Sequence, residues 1–160
     1  MLSVAQAWRV LAEVPDPEIP VISVTELGIV RDVRAADESL TVVVTPTYSG
    51  CPATEAIETA IRDALREAGA GEVRIETRLA PPWTSDWLDP AAAEKLRRHG
   101  IAPPGLSAAA QRVRVVPRPP ACPRCGSRDT ERLSEFGATA CKALYRCTAC
   151  REPFEHFKPI

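Results

Sequence analysis

The sequence predicts an α+β protein, with a small mixed helix/sheet domain of order α-β-β-α-β-α over residues 1–100 and a separate cysteine-rich tail over 122–160. Three observations carry this. Segments with apolar residues at helical spacing alternate with short runs rich in β-branched residues. Five of the six Cys fall in the last 39 residues, four of them as two C-x-x-C pairs. Between the two parts, residues 101–121 hold Pro103, Pro104, Pro117, Pro119 and Pro120 with little periodicity, which reads as a semi-rigid connector.

Composition bounds the function classes. The chain has 160 residues, 45% of them apolar but only 5% aromatic, so its core must be mostly Val, Leu, Ile and Ala. No apolar run approaches the roughly 18–20 residues of a spanning helix, which argues against a membrane protein. The first residues lack a basic stretch followed by an apolar one, so no secretory signal is expected. The expected setting is therefore cytoplasmic and reducing, where six Cys serve as metal ligands or reactive thiols rather than disulfides. Residues 1–100 carry 10 Lys and Arg against 16 Asp and Glu, whereas residues 101–160 carry 10 against 5. That asymmetry is read either as two differently charged surfaces or as a basic tail that docks on an acidic partner or on the front half of its own chain. Nucleic acid is weakly supported.

Each element follows in order. Val4, Ala7, Trp8, Leu11 and Ala12 share a helical face after Ser3, a good N-cap, and Pro15, Pro17 and Pro20 stop that helix. Ile29–Val33 and Leu40–Thr45 flank a polar turn and predict an antiparallel hairpin. Ile57, Ala60, Ile61, Ala64, Leu65 and Ala68 predict a helix over about 53–68, ended by Gly69 and Gly71. Residues 72–79 alternate, which predicts a strand with Val73, Ile75, Thr77 and Leu79 on one face. A loop holding Trp83 and Trp87 precedes a short helix over about 90–99; these Trp read either as core lids or as an aromatic surface for a partner. A short strand is expected over 112–116.

In the tail, Cys122-Pro-Arg-Cys125 and Cys147-Thr-Ala-Cys150 each form a hook that presents two thiolates to one tetrahedral ion. So short a unit with few apolar side chains needs such a staple. This predicts a zinc-ribbon-like fold around a structural zinc, with an iron site or a disulfide pair as the alternatives. Cys141 is a fifth tail Cys, read either as a small buried residue or as an extra ligand. His156 reads as a packed histidine rather than a ligand, and His99 as a cation suited to a helix C-terminus.

Cys51 stands alone in its half of the chain. A strand, Ser49-Gly50, Cys51 and Pro52 precede a helix, which places the sulfur near a helix N-terminus where a thiolate is favoured. Thr45, Thr47 and Tyr48 offer hydroxyls beside it. It reads either as a metal-binding or transferring thiolate or as an inert buried Cys. Asp16 and Glu18, on a stiff Pro-rich loop, would complete a thiolate–carboxylate site if folding brings them to Cys51; otherwise Asp16 caps a turn. Glu26 and Asp86 are weaker candidates of that kind. Neither histidine sits in a motif that would make it a base for Cys51, and no Gly-rich phosphate loop is present.

These residues carry a resemblance. Asp16-Pro-Glu-Ile-Pro20, Val24-Thr-Glu-Leu-Gly-Ile-Val30, the Cys51 loop and Pro82-Trp-Thr-Ser-Asp-Trp87 resemble the metal–sulfur cluster assembly (SufT-like) family over about residues 1–100. With Phe136-Gly-Ala-Thr-Ala-Cys-Lys-Ala-Leu-Tyr-Arg-Cys147 and Arg151-Glu-Pro-Phe-Glu-His-Phe-Lys158, nearly the whole chain is similar to the D (or J) component family of the bacterial phenylacetyl-CoA epoxidases, multicomponent di-iron monooxygenases. The resemblance implies an accessory role in aerobic phenylacetate catabolism, in which oxygen chemistry belongs to the di-iron subunit and electrons come through a reductase. It implies that the chain matures or inserts an iron or iron–sulfur centre, with Cys51 as the reactive Cys and Cys122, Cys125, Cys147 and Cys150 as the tail's metal site. The expected partners are the oxygenase or reductase subunits. The rival expectation is a structural or regulatory subunit that never handles metal through Cys51. An enzyme in its own right is the weakest reading, because no acid/base constellation is visible.

Overall fold

The computed structural model describes residues 2–105, 107 and 118–160. The chain divides into two compact units, Met1–Trp83 and Thr84–Ile160.

In the first unit, α1 (Val4–Leu11) starts with a capping box: Ser3 accepts the Gln6 N–H and the Gln6 side chain accepts the Ser3 N–H. Its buried residues are Ala7 and Leu11. β1 (Val30–Ala36) and β2 (Ser39–Val44) form the expected antiparallel hairpin, and β2 pairs in parallel with β3 (Glu72–Thr77). Parallel pairing needs a crossover, which α2 (Thr54–Glu67) supplies while burying Ile57, Ile61 and Leu65. Val42, Val43 and Val44 are all buried, as in a central strand covered on both faces. β3 is shorter than the alternation predicts. Its partner β2 ends at Val44, opposite Thr77, so no ladder continues and Leu79 is 59% exposed.

Residues 12–29 form no regular helix or strand, yet Val14, Ile19, Ile22, Val24, Leu27 and Ile29 are all buried. A bridge between Pro15 and Ser23 closes the segment. The Trp83 indole N–H donates to the Leu27 carbonyl at 3.0 Å, and Trp83 is a core residue rather than an exposed aromatic surface.

In the second unit, β4 (Ile101–Ala102), β5 (Thr130–Ser134), β6 (Lys142–Cys147) and β7 (Pro153–Phe157) make one sheet of order β4-β7-β6-β5. β5, β6 and β7 are antiparallel neighbours and β4 runs parallel to β7. A 3-10 turn (Ser85–Trp87) and α3 (Pro90–Arg98) belong here, not with the first unit where the sequence places them. The reason is pairing at long range: the Ser85 N–H donates to the Ile160 oxygen at 3.0 Å, and the Ile160 N–H to Ser85 Oγ at 3.1 Å. The stretch expected to be a connector likewise begins with β4. The strand expected over 112–116 lies outside the described residues. Among the described residues no helix is long and apolar enough to cross a membrane.

Candidate metal centre

The two hooks are built alike. At the first, the Gly126 N–H donates to the Cys122 carbonyl and the Cys122 N–H to the Ser127 carbonyl, each at 2.8 Å. At the second, the Cys147 N–H donates to the Glu152 carbonyl at 2.9 Å. In each, the residue after the second Cys has positive φ: Gly126 at 76° and Arg151 at 68°. Glycine takes that conformation freely and arginine does not, so the second hook holds a strained backbone. β6 delivers Cys147 at its last position, while the first hook precedes β5, so the β5–β6 pairing opposes the two hooks.

The four sulfurs converge. Cys122 Sγ lies 3.7 Å from Cys150 Sγ, Cys125 Sγ lies 3.6 Å from Cys147 Sγ, and all four are within 4.8 Å of one another. Tetrahedral zinc with bonds of about 2.3 Å sets its sulfurs about 3.8 Å apart, whereas a disulfide needs about 2.05 Å. The donor set therefore fits a four-thiolate zinc site, and the Cys are free thiols. Cys122 and Cys147 are buried, Cys150 half-buried and Cys125 exposed. The small core around them is Ala102, Cys122, Cys147 and Phe154, with Tyr145 packed on it. With so few apolar side chains around the hooks, a metal held by the four thiols would staple them together. The Cys150 N–H lowers the Cys147 thiol to about 7 despite desolvation. At Cys125 the Ser127 N–H lowers the thiol, but desolvation and its three sulfur neighbours outweigh that bond and push it up to about 12.

Cys141 stands outside this cluster. It is buried, with its Sγ 3.1 Å from Thr139 Oγ1. His156 is buried with Nδ1 3.3 Å from the Ala102 carbonyl oxygen and is not part of the cluster either. His99 is the C-cap of α3.

In the first unit the candidates are not gathered into one site. Asp16 is buried and its Oδ1 accepts the Glu18 and Ile19 N–H groups, each at 2.8 Å, so it caps the Pro-rich loop. Glu18 points to solvent. Among the described residues, no cluster of three metal-ligating side chains includes Cys51. The N-cap of α2 is Ala53, which lacks a side-chain cap, and Pro52 precedes it rather than lying in the first helical turn. Cys51 closes a turn: its N–H donates to the Tyr48 carbonyl and its carbonyl accepts the Thr54 N–H. Gly50, at φ 80°, makes that turn possible. The Cys51 thiol is free and half-buried, and no described residue hydrogen-bonds to it. Glu26 accepts the Ser23 N–H, and Asp86 pairs with Ser107.

A family model described as an iron–sulfur cluster assembly protein matches residues 5–77, and one described as the PaaD zinc beta ribbon domain matches residues 107–158. The chain is 51% identical over 158 residues to an Escherichia coli (strain K12) protein provisionally named as the D component of 1,2-phenylacetyl-CoA epoxidase, covering 98% of this chain and 93% of that one. The chain belongs to this family of epoxidase D components. It is also 36% identical over 90 residues to an Fe-S protein maturation auxiliary factor of Porphyromonas gingivalis (strain ATCC BAA-308 / W83), covering 55% of this chain and 85% of the relative. Among solved structures it is similar to a domain of unknown function from Bacillus anthracis, with TM-score 0.54 and 25% identity over 58% of this chain and 90% of that one. A conserved hypothetical protein of Thermotoga maritima is comparable, with TM-score 0.51 and 28% identity over 59% and 94%. The α+β first unit and the ribbon tail thus agree with the family.

The signals that sequence reasoning missed lie in β6 and β7. Lys142, which the sequence gives no reason to single out, is buried, and the cations of the second unit read only as net charge.

Proposed function

We propose that this chain is a non-catalytic accessory factor of a phenylacetyl-CoA epoxidase, serving ring 1,2-epoxidation in aerobic phenylacetate catabolism. Its task is to mature or deliver an iron or iron–sulfur centre to the oxygenase or its reductase. The observation that carries this reading is the Cys51 thiol, half-buried and without a hydrogen-bond partner among the described residues, on a loop within the stretch similar to iron–sulfur assembly proteins. A thiolate binds iron and releases it to a site with more ligands, so a site with few other donors suits transfer better than storage. In the ribbon, Cys122, Cys125, Cys147 and Cys150 would hold a structural zinc. A closed four-thiolate zinc site contributes folding energy and no chemistry. The ribbon is then free to recognise the client.

The test is Cys51→Ala, expressed with the epoxidase subunits. The variant should accumulate normally, because a half-buried side chain on a loop contributes few packing contacts. Its clients should be folded but short of iron, and epoxidase activity should fall. Full iron content with full activity would leave the structural-subunit reading ahead.

A further inference from the structure

In the sheet of the second unit, Ala102 lies opposite His156, His156 opposite Ala143, and Tyr145 opposite Arg132. Side chains two apart on a strand share a face, so these residues form one surface. That surface floors a cleft of about 910 Å³, walled by Pro103–Gly105 and by the first metal hook. The floor is apolar and aromatic. Among the described residues the rim carries Arg97, Arg118, Arg124, Arg128, Arg132 and Lys158, against one carboxylate, Glu135.

The cations fall into two groups. Arg97, Arg124 and Arg132 are ion-paired with Glu94, Glu152 and Glu135. Arg118, Arg128 and Lys158 have no carboxylate partner among the described residues. Arg128 donates to the Pro119 carbonyl, and Lys158 donates to the Glu135 carbonyl while lying 4.5 Å over the Phe136 ring. An anion is the natural complement. Arg97, Arg118, Arg124, Arg128 and Arg132 are exposed, Arg124 to 67%, and Lys158 is half-buried. Exposed, dispersed cations hold a small anion weakly, whereas a chain of carboxylates engages several at once. β5, which brings Arg132 to the cleft, is an edge strand; Leu133 within it is 50% exposed and Phe136, two residues past its end, 60%. Edge main chain with apolar neighbours suits an extended peptide.

We propose that this cleft docks an extended acidic segment of a partner protein, with carboxylates on Arg118, Arg128 and Lys158 and an apolar side chain on the Tyr145 floor. The proposal rests on, and deepens, the client-recognition role given to the ribbon.

The experiment titrates the zinc-loaded full chain into a fluorescently labelled Glu-rich peptide with one central Leu, with a Lys-rich counterpart as control and pyrophosphate as competitor. The acidic peptide should bind and the basic one should not, and raising salt to about 0.5 M should weaken binding. Arg118→Glu with Arg128→Glu should weaken it at least about tenfold, while Arg118→Lys with Arg128→Lys should retain most of it. If the charge-reversed protein fails to keep its zinc, Lys158→Gln supplies the same test with a milder change. Equal binding of both peptides, or binding unaffected by these variants, overturns the proposal. Pyrophosphate binding without peptide binding also overturns it and assigns the cleft to a phosphate ligand. Cys51→Ala should bind the peptide normally, so full metal delivery by Cys51→Ala with docking intact refutes the delivery reading alone. Delivery intact without peptide binding refutes the docking surface alone.

Discussion

Lys142 and Glu155 form a buried ion pair across β6 and β7, with Nζ 2.8 Å from Oε2 and side-chain exposures of 4% and 25%. Glu155 Oε1 also accepts the Ala138 N–H at 2.7 Å. Burial pushes the Glu155 carboxyl up, but the Lys142 and Ala138 hydrogen bonds outweigh it and hold it below the usual carboxylate range. Removing the lysine leaves a half-buried carboxylate short of its counter-charge. Lys142→Met should therefore cost about 2–3 kcal/mol in denaturant unfolding of the zinc-loaded chain, toward the low end for buried pairs because Glu155 is partly exposed. Adding Glu155→Gln to Lys142→Met should recover part of that loss, and a double variant as unstable as the sum of the singles would show that the pair contributes nothing.

Asp16 separates a cap from a ligand. Asp16→Ala removes the acceptor of two backbone N–H groups and should cost the first unit about 1–2 kcal/mol. Asp16→Asn keeps an acceptor oxygen and should be much milder. If Asp16→Asn is stable yet blocks metal delivery, the carboxylate has a role beyond the turn.

The tail should hold one zinc per chain. Cys122→Ser, or a strong chelator, should remove the metal and melt the β5–β6–β7 sheet, while the first unit, with its own apolar core, keeps its melting transition. Metal analysis and circular dichroism read both outcomes, and a metal-free chain with an intact tail would rule this out.

His156 should make the tail acid-sensitive. Burial lowers its imidazole from the ordinary 6.5, and the Ala102 carbonyl offsets this only in part. Between the folded and unfolded values the unfolded chain binds more protons, so stability is complete above about pH 6.5 and falls on acidification below it. Unfolding of the metal-loaded chain at about pH 7.5 and pH 5.5 should show this fall, and His156→Gln should flatten it relative to the wild type. Identical slopes in both proteins would exclude His156 as the cause.

What the sequence determined by itself is local. The Ser3 cap, the α2 stripe, the β1–β2 hairpin and the two C-x-x-C hooks each depend on residues a few positions apart, and that spacing is written in the chain. What only the tertiary structure decided depends on partners far apart in sequence. Thr84–Arg98 belongs with the tail because Ser85 pairs with Ile160, and β4 is too short to show any period. Asp16 faces its own loop's amides instead of Cys51, and Lys142 is buried because Glu155 lies on the next strand. In each case a charged or polar group takes the environment that distant backbone brings to it, and composition carries no record of that distance.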